Sequence, residues 1–110
     1  MIKNLSIIVP AYNSEKFINA ALDSIFRQSI TPLEILVVDN LSTDKTAELA
    51  RLYDSPVQVL SCEHQGVSFA RNHALSRAKG EWISFLDADD IWADNTLELF
   101  FSTIEKDQSL

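Results

Sequence analysis

Four short runs of Ile, Val, Leu and aromatic residues recur along the chain at nearly regular spacing: Leu5 to Val9, Leu33 to Val38, Val57 to Leu60 and Trp82 to Leu86. Runs of this length and composition form strands. The first, second and fourth are almost continuously apolar, so both faces of each strand need cover, as in a parallel sheet. Between the runs the apolar residues take helical spacing. Phe17, Ile18, Ala21, Leu22, Ile25 and Phe26 make one stripe, with Asn13 or Ser14 placed to cap its start. Thr43 to Leu52 follows a Ser42 or Thr43 cap, and Val67 to Ala78 carries Val67, Ala70, Ala74, Leu75 and Ala78 and stops before Gly80, as at a C-cap glycine. A last helix, Asn95 to Lys106, sets Leu97, Phe100, Phe101 and Ile104 on one side.

The alternation β-α-β-α-β-α-β-α predicts right-handed crossovers and a Rossmann-like, doubly wound α/β fold: a mainly parallel four-stranded sheet with helices on both faces. At 110 residues the chain is read as one domain, 1–110. In such sheets ligands bind beyond the carboxyl ends of the strands, near the point where strand order reverses. The residues just past the four runs are Pro10 to Asn13, Asp39 to Ser42, Cys62 to His64, and Asp87 to Asp90. Acidic and amide groups therefore collect on one rim.

A formal charge of −7 argues against a nucleic-acid binder, which needs a basic face to replace counterions on phosphates. Any anionic ligand must be gripped locally. Cys62 is the lone cysteine, so neither an internal disulfide nor a CxxC site can form. The opening "MIKNLSIIVPAYN" is far too short in apolar length for a membrane span and has no small-residue cleavage site, so a reducing cytoplasm is the expected location.

The run "DADD", Asp87 to Asp90, puts three carboxylates in four positions behind an apolar strand. Helix capping accounts well for single residues such as Ser42, Thr43, and Asp94 or Asn95. It does not account for Asp87 and Asp89, which lie several residues before the next helix, and crowded carboxylates cost free energy unless a cation joins them. A hard dication, Mn²⁺ or Mg²⁺, suits such a place, because it takes one or two carboxylates and completes its shell with water and phosphate oxygens. An acidic protein can then hold an anion. With only two glycines, Gly66 and Gly80, the chain has no GxGxxG and no GxxxxGK[ST], which disfavours dinucleotide and P-loop sites.

"IIVPAYN" with Glu15, "VVDNLSTD", "GVSFARN" and "GEWISFLDADD" together resemble the nucleotide-binding half of the family 2 glycosyltransferases, of GT-A fold. The resemblance runs from Ile7 to Trp92 with four motifs in order. It implies a transferase that binds a nucleotide-diphosphate sugar, with a UDP-sugar favoured, and moves the sugar to an acceptor saccharide or lipid-linked saccharide, commonly with inversion. By resemblance Pro10, Ala11 and Tyr12 line the base pocket, with Glu15 beside the nucleotide. Asp39 accepts a hydrogen bond from the base ring, and Arg71 stands near the nucleotide and its phosphates. Asp87 and Asp89 form the DxD motif, Asp89 on the metal and Asp87 on ribose or metal. Where the family has Asp-Gly-Ser, this chain has Asn40, Leu41 and Ser42, so one nucleotide contact is lost and a glycine turn is filled by Leu41.

The family's acceptor site and catalytic base are expected beyond Leu110, so no catalytic residue is assigned. The lipid-linked acceptor implies work at the inner face of the membrane. His64 and His73 are read as surface or satisfied histidines, Trp82 and Trp92 as packing residues, and Cys62 as small and buried. A competing reading is a non-catalytic nucleotide-binding or assembly module, in which an uncovered sheet edge pairs two copies as a homodimer. The phosphatases of haloacid dehalogenase type and the receiver domains place their acidic residues after the first strand, which here ends in "PAYN".

Overall fold

The computed structural model describes residues 2–63 and 65–106, so the reading of His64 lies outside the described residues. Eight elements alternate as expected: β1 Ile2–Ala11, α1 Ile18–Phe26, β2 Thr31–Asp39, α2 Thr46–Arg51, β3 Val57–Ser61, α3 Val67–Arg77, β4 Trp82–Phe85 and α4 Thr96–Lys106. The strands pair in parallel in the order β3-β2-β1-β4. The order in which strands are added therefore reverses at β1, with β4 placed on its other side, and all four carboxyl ends share one edge.

The continuous apolar runs serve two cores. Leu5, Ile7 and Val9 of β1 face α1, α2 and α4, packing with Leu22, Ile25, Ala50 and Leu97. Ile8, Leu36 and Val38 turn to the other face and meet Ala70 and Ala74 of α3. Period-two alternation along β1 thus feeds both layers, and for this reason a half-apolar strand would not do here. The α3 stripe is narrower than its spacing suggests. Val67 and Leu75 are exposed, and only the two alanines are fully buried, which lets the helix lie close to the sheet.

Capping differs from the local expectation. The α1 start has no side-chain cap; instead the Ser14 carbonyl accepts from the amides of Phe17 and Ile18 at 2.9 and 2.8 Å. Ser42 and Thr43 do not cap α2, which begins later, and Asp44 Oδ1 accepts from the Thr46 amide at 3.0 Å. At α4 the Leu97 amide donates to Gln28 Oε1 at 3.0 Å, a cap supplied from beyond the end of α1, while Asp94 takes Arg27 Nε at 3.1 Å. Gly80 is not a C-cap: α3 closes at Ala78 in extended conformation. Gly80 is needed because a Cβ there would stand 2.6 Å from the Ser6 amide nitrogen and 2.9 Å from the Leu5 carbonyl carbon.

Of the two tryptophans, Trp92 packs against the larger core, whereas Trp82 is 40% exposed and meets Phe100 and Phe101 edge-on. Cys62 is buried. No helix among the described residues is long and apolar enough to cross a membrane.

Candidate functional site

The sheet ladder runs on past the strand ends and sets the loops of the rim. The Asn40 amide donates to the Ala11 carbonyl at 2.8 Å, and the Ala88 amide to the Pro10 carbonyl at 3.3 Å. The segments after β2 and β4 are thereby held on either side of the tip of β1. A cleft of about 550 Å³ opens there, walled by Pro10 and Ala11 of β1 with Tyr12 just past it, Asn40 just past β2, Val67 and Arg71 of α3 with Gly66 just ahead of it, and Asp87 to Asp89 after β4. It sits at the reversal of strand order, where an open α/β sheet leaves a crevice.

The β1–α1 and β2–α2 loops are laced together beside it. The Asn13 amide donates to Ser42 Oγ at 2.9 Å, and the Thr43 amide returns to Asn13 Oδ1 at 2.8 Å. The Glu15 amide donates to Asp44 Oδ2 at 3.2 Å, and the Lys45 amide to Glu15 Oε2 at 3.1 Å. Asn13 and Leu41 have φ of 46° and 61°, so Leu41 holds a left-handed turn that glycine adopts at less cost. Partial desolvation pushes the Asp44 carboxyl up, but hydrogen bonds from the Thr46 hydroxyl and amide and from the Glu15 amide outweigh it and hold Asp44 below the ordinary carboxylate value.

Six of the eight residues expected at the site line the cleft: Pro10, Ala11, Tyr12, Arg71, Asp87 and Asp89. Tyr12 is 53% exposed, so its ring is available at the rim instead of packed against α1. Glu15 and Asp39 do not line it. Glu15 is engaged at the start of α2, and Asp39 Oδ1 accepts from the Ser42 amide at 3.3 Å at the tip of β2.

Sequence reasoning passed over Asn40, Gln65, Gly66 and Asp90 as site residues. Asn40 is buried; its Nδ2 donates to the Gly66 carbonyl at 2.7 Å, while its Oδ1 has no partner among the described residues. An acceptor so placed on a cleft wall is costly unless a donor reaches it. Gly66 opens the "GVSFARN" motif with φ of 118°, and the motif was the signal available for it. Asp90 joins Asp87 through a turn in which its amide donates to the Asp87 carbonyl at 3.0 Å.

Carboxylate oxygens of Asp87, Asp89 and Asp90 lie within 4.8 Å of one another on the exposed rim. This all-oxygen, solvent-exposed set fits a hard dication such as Mg²⁺ or Mn²⁺ that keeps several non-protein ligands. Arg71 supplies the positive wall: its Nη2 stands 3.4 Å from Asp87 Oδ1, and its guanidinium lies 5.5 Å above the Phe85 ring centroid.

Comparison with known proteins is consistent over nearly the whole chain. The model of "Glycosyl transferase family 2" matches residues 6–110. The Escherichia coli UDP-Glc:alpha-D-GlcNAc-diphosphoundecaprenol beta-1,3-glucosyltransferase WfgD is 41% identical over 104 residues, which are 93% of this chain and 41% of that protein. Among solved structures, S. aureus TarS 1-349 in complex with UDP superposes with a TM-score of 0.83 at 35% identity, covering 93% of this chain and 32% of that one. Mannosyltransferase PcManGT from Pyrobaculum calidifontis, in complex with GDP-Man and Mn2+, gives 0.76 at 33% identity over 88% of this chain and 31% of its own. The chain thus spans about a third to two fifths of the length of these relatives. With four motifs, one sheet order and a family model all agreeing, the chain belongs to glycosyl transferase family 2.

Proposed function

We propose that this chain forms the donor-binding part of a glycosyltransferase that holds a nucleotide-diphosphate sugar in the cleft between β1 and β4 for transfer to an acceptor hydroxyl, with inversion. The observation that carries the reading is the meeting of Asp87, Asp89 and Asp90 with Arg71 and the β1 tip on one cleft at the reversal of strand order. The relatives support it: UDP is present in the TarS complex, and GDP-Man with Mn2+ in that of PcManGT. A UDP-sugar is the favoured donor, and the WfgD name favours a lipid-linked saccharide as acceptor, which would place the work in the cytoplasm at the inner face of the membrane.

In this reading Pro10, Ala11 and Tyr12 flank the base, Tyr12 offering its exposed ring as a stacking surface. Asp39 at the tip of β2 accepts from the base ring, and Glu15 fixes the neighbouring loop. Asp89 and Asp87, with Asp90 beside them, would hold Mn²⁺ or Mg²⁺, which supplies charge neutralisation at the diphosphate leaving group. Arg71 adds a fixed donor fork to the same oxygens. The proton of the acceptor hydroxyl needs a base, and none is assigned among residues 1–110.

Calorimetry tests this with UDP-, GDP- and dTDP-sugars, each with and without Mn²⁺. The expected result is metal-dependent binding of one nucleotide class, lost in Asp89→Ala. Folded protein that binds none of them at millimolar concentration would sink the proposal.

A second reading, an assembly module, is favoured by the apolar side chains left open along β4 and α4: Trp82 and Phe85 are each 40% exposed, and Leu99 is 59% exposed. A homodimer in sedimentation that binds no nucleotide would favour it over the first.

A further inference from the structure

We infer that Arg71 is the resident counter-ion of Asp87 in the ligand-free protein, so that a divalent cation arriving alone must displace a guanidinium, whereas one arriving with a diphosphate gives that guanidinium a new partner. The inference rests on the nucleotide-diphosphate reading above and adds to it a rule of loading: the metal is admitted with the anion.

The contact has the properties of an exchangeable one. It is a single approach of 3.4 Å, Nη2 to Asp87 Oδ1, between side chains 41% and 48% exposed. A monodentate pair in that degree of hydration is weak. Arg71 Nε is buried and has no partner among the described residues, so the guanidinium fork is mostly unused. A diphosphate can engage two donors of that fork at once, which is the stronger arrangement.

Space exists for the change. Arg71 stands on the wall between the cleft and a neighbouring depression lined by Phe85, Asp90 and Trp92. The Phe85 ring beneath the guanidinium gives it a seat that does not depend on Asp87. Asp87 shares its oxygens with Asp89 and Asp90 within 4.8 Å, so a dication on that set and a guanidinium on Asp87 repel at close range. Each ligand must then alter the other's affinity by the same factor.

The test uses Mn²⁺ alone, UDP alone and the two together, with bound Mn²⁺ read by electron paramagnetic resonance and UDP by calorimetry, on the wild type and Arg71→Met. Removing a weak competing cation is expected to tighten Mn²⁺ alone by about three- to tenfold. Loss of a charge-assisted fork is expected to weaken UDP at saturating Mn²⁺ by about tenfold or more. Arg71→Lys keeps the charge and should hold Mn²⁺ alone within about twofold of wild type. Arg71→Gln carries the same expectation as Arg71→Met and serves should the latter fail to fold by circular dichroism.

Opposite signs for the two ligands are the signature, because a merely structural role for Arg71 would weaken both. If the wild type binds UDP with Mn²⁺ but the neutral variants bind Mn²⁺ alone no tighter, the exchange is overturned and the nucleotide reading stands. If the wild type binds no UDP at saturating Mn²⁺, the nucleotide reading falls and takes the inference with it.

Discussion

Across the β1–β2 pairing the Ser6 hydroxyl donates to Glu34 Oε2 at 2.6 Å, where Ser6 is wholly buried and Glu34 is 4% exposed. The same oxygen accepts from the Lys79 amide at 2.7 Å, and Ser6 Oγ accepts from the Gly80 amide at 2.8 Å. One buried carboxylate thus ties the approach to β4 onto β1 and β2, and β4 in turn carries the acidic run. Glu34→Leu leaves two donors, the Ser6 hydroxyl and the Lys79 amide, without their partner and is expected to cost about 2–5 kcal/mol in urea unfolding, against about 1–3 kcal/mol for Ser6→Ala. Equal, negligible losses would show that water replaces the carboxylate.

Gly80 belongs to the same knot for a steric reason. Its missing Cβ would meet backbone atoms of Leu5 and Ser6 at 2.6 to 2.9 Å, and backbone cannot step aside as a side-chain end can. Gly80→Ala is expected to destabilise by about 1–3 kcal/mol or more, measured by thermal or urea unfolding.

Tyr53 gives the alkaline limb of stability. Burial, then a 2.7 Å hydrogen bond to Asp23 and the charge of that carboxylate, push its hydroxyl from 10.0 to about 12. Because the folded value lies above the unfolded one, the contribution is complete below pH 10 and is lost as pH rises through about 12. Ultraviolet titration should show one late tyrosinate in the wild type that is absent from Tyr53→Phe and kept in Tyr12→Phe. The Tyr53→Phe variant should also lose less stability than wild type between pH 10 and 12. Identical alkaline unfolding of the two proteins would refute the assignment.

Asn40 probes the cleft wall. Asn40→Asp removes the donor to the Gly66 carbonyl and sets a charge near that oxygen, while Asn40→Ala removes both ends of the amide. Each is expected to cost about 1–3 kcal/mol of stability. In Asn40→Ala the affinity for UDP with Mn²⁺ should fall about threefold or more, since the unpartnered Oδ1 on that wall is lost as well. Calorimetry showing unchanged affinity would confine Asn40 to holding the loop before α3.

Burial periodicity explains why so much of the architecture was legible. Leu5, Ile7 and Val9 against Ile8, with the stripe Ile18, Ala21, Leu22 and Ile25, state locally which face goes inward, and each element follows from residues within one or two turns of it. The cleft residues Pro10 and Asp87 were legible for the same reason, since parallel strands must deliver their carboxyl ends to one edge. Capping was not. Asn13 and Ser42 are good local caps, yet their hydrogen bonds go to the neighbouring loop, and Gln28 caps a helix whose first residue lies 68 positions ahead of it.

By itself, then, the amino-acid order determined an alternating parallel α/β chain with carboxylates on one rim, because hydrophobic period and strand polarity are properties of short segments. Tertiary structure alone decided the strand order β3-β2-β1-β4, the close packing that demands Gly80, the withdrawal of Glu15 from the cleft and the place of Asp90 in the acidic set. Those features depend on which surfaces and unsatisfied polar groups from distant segments meet, and a polar side chain with several partners in reach is committed only when packing selects one.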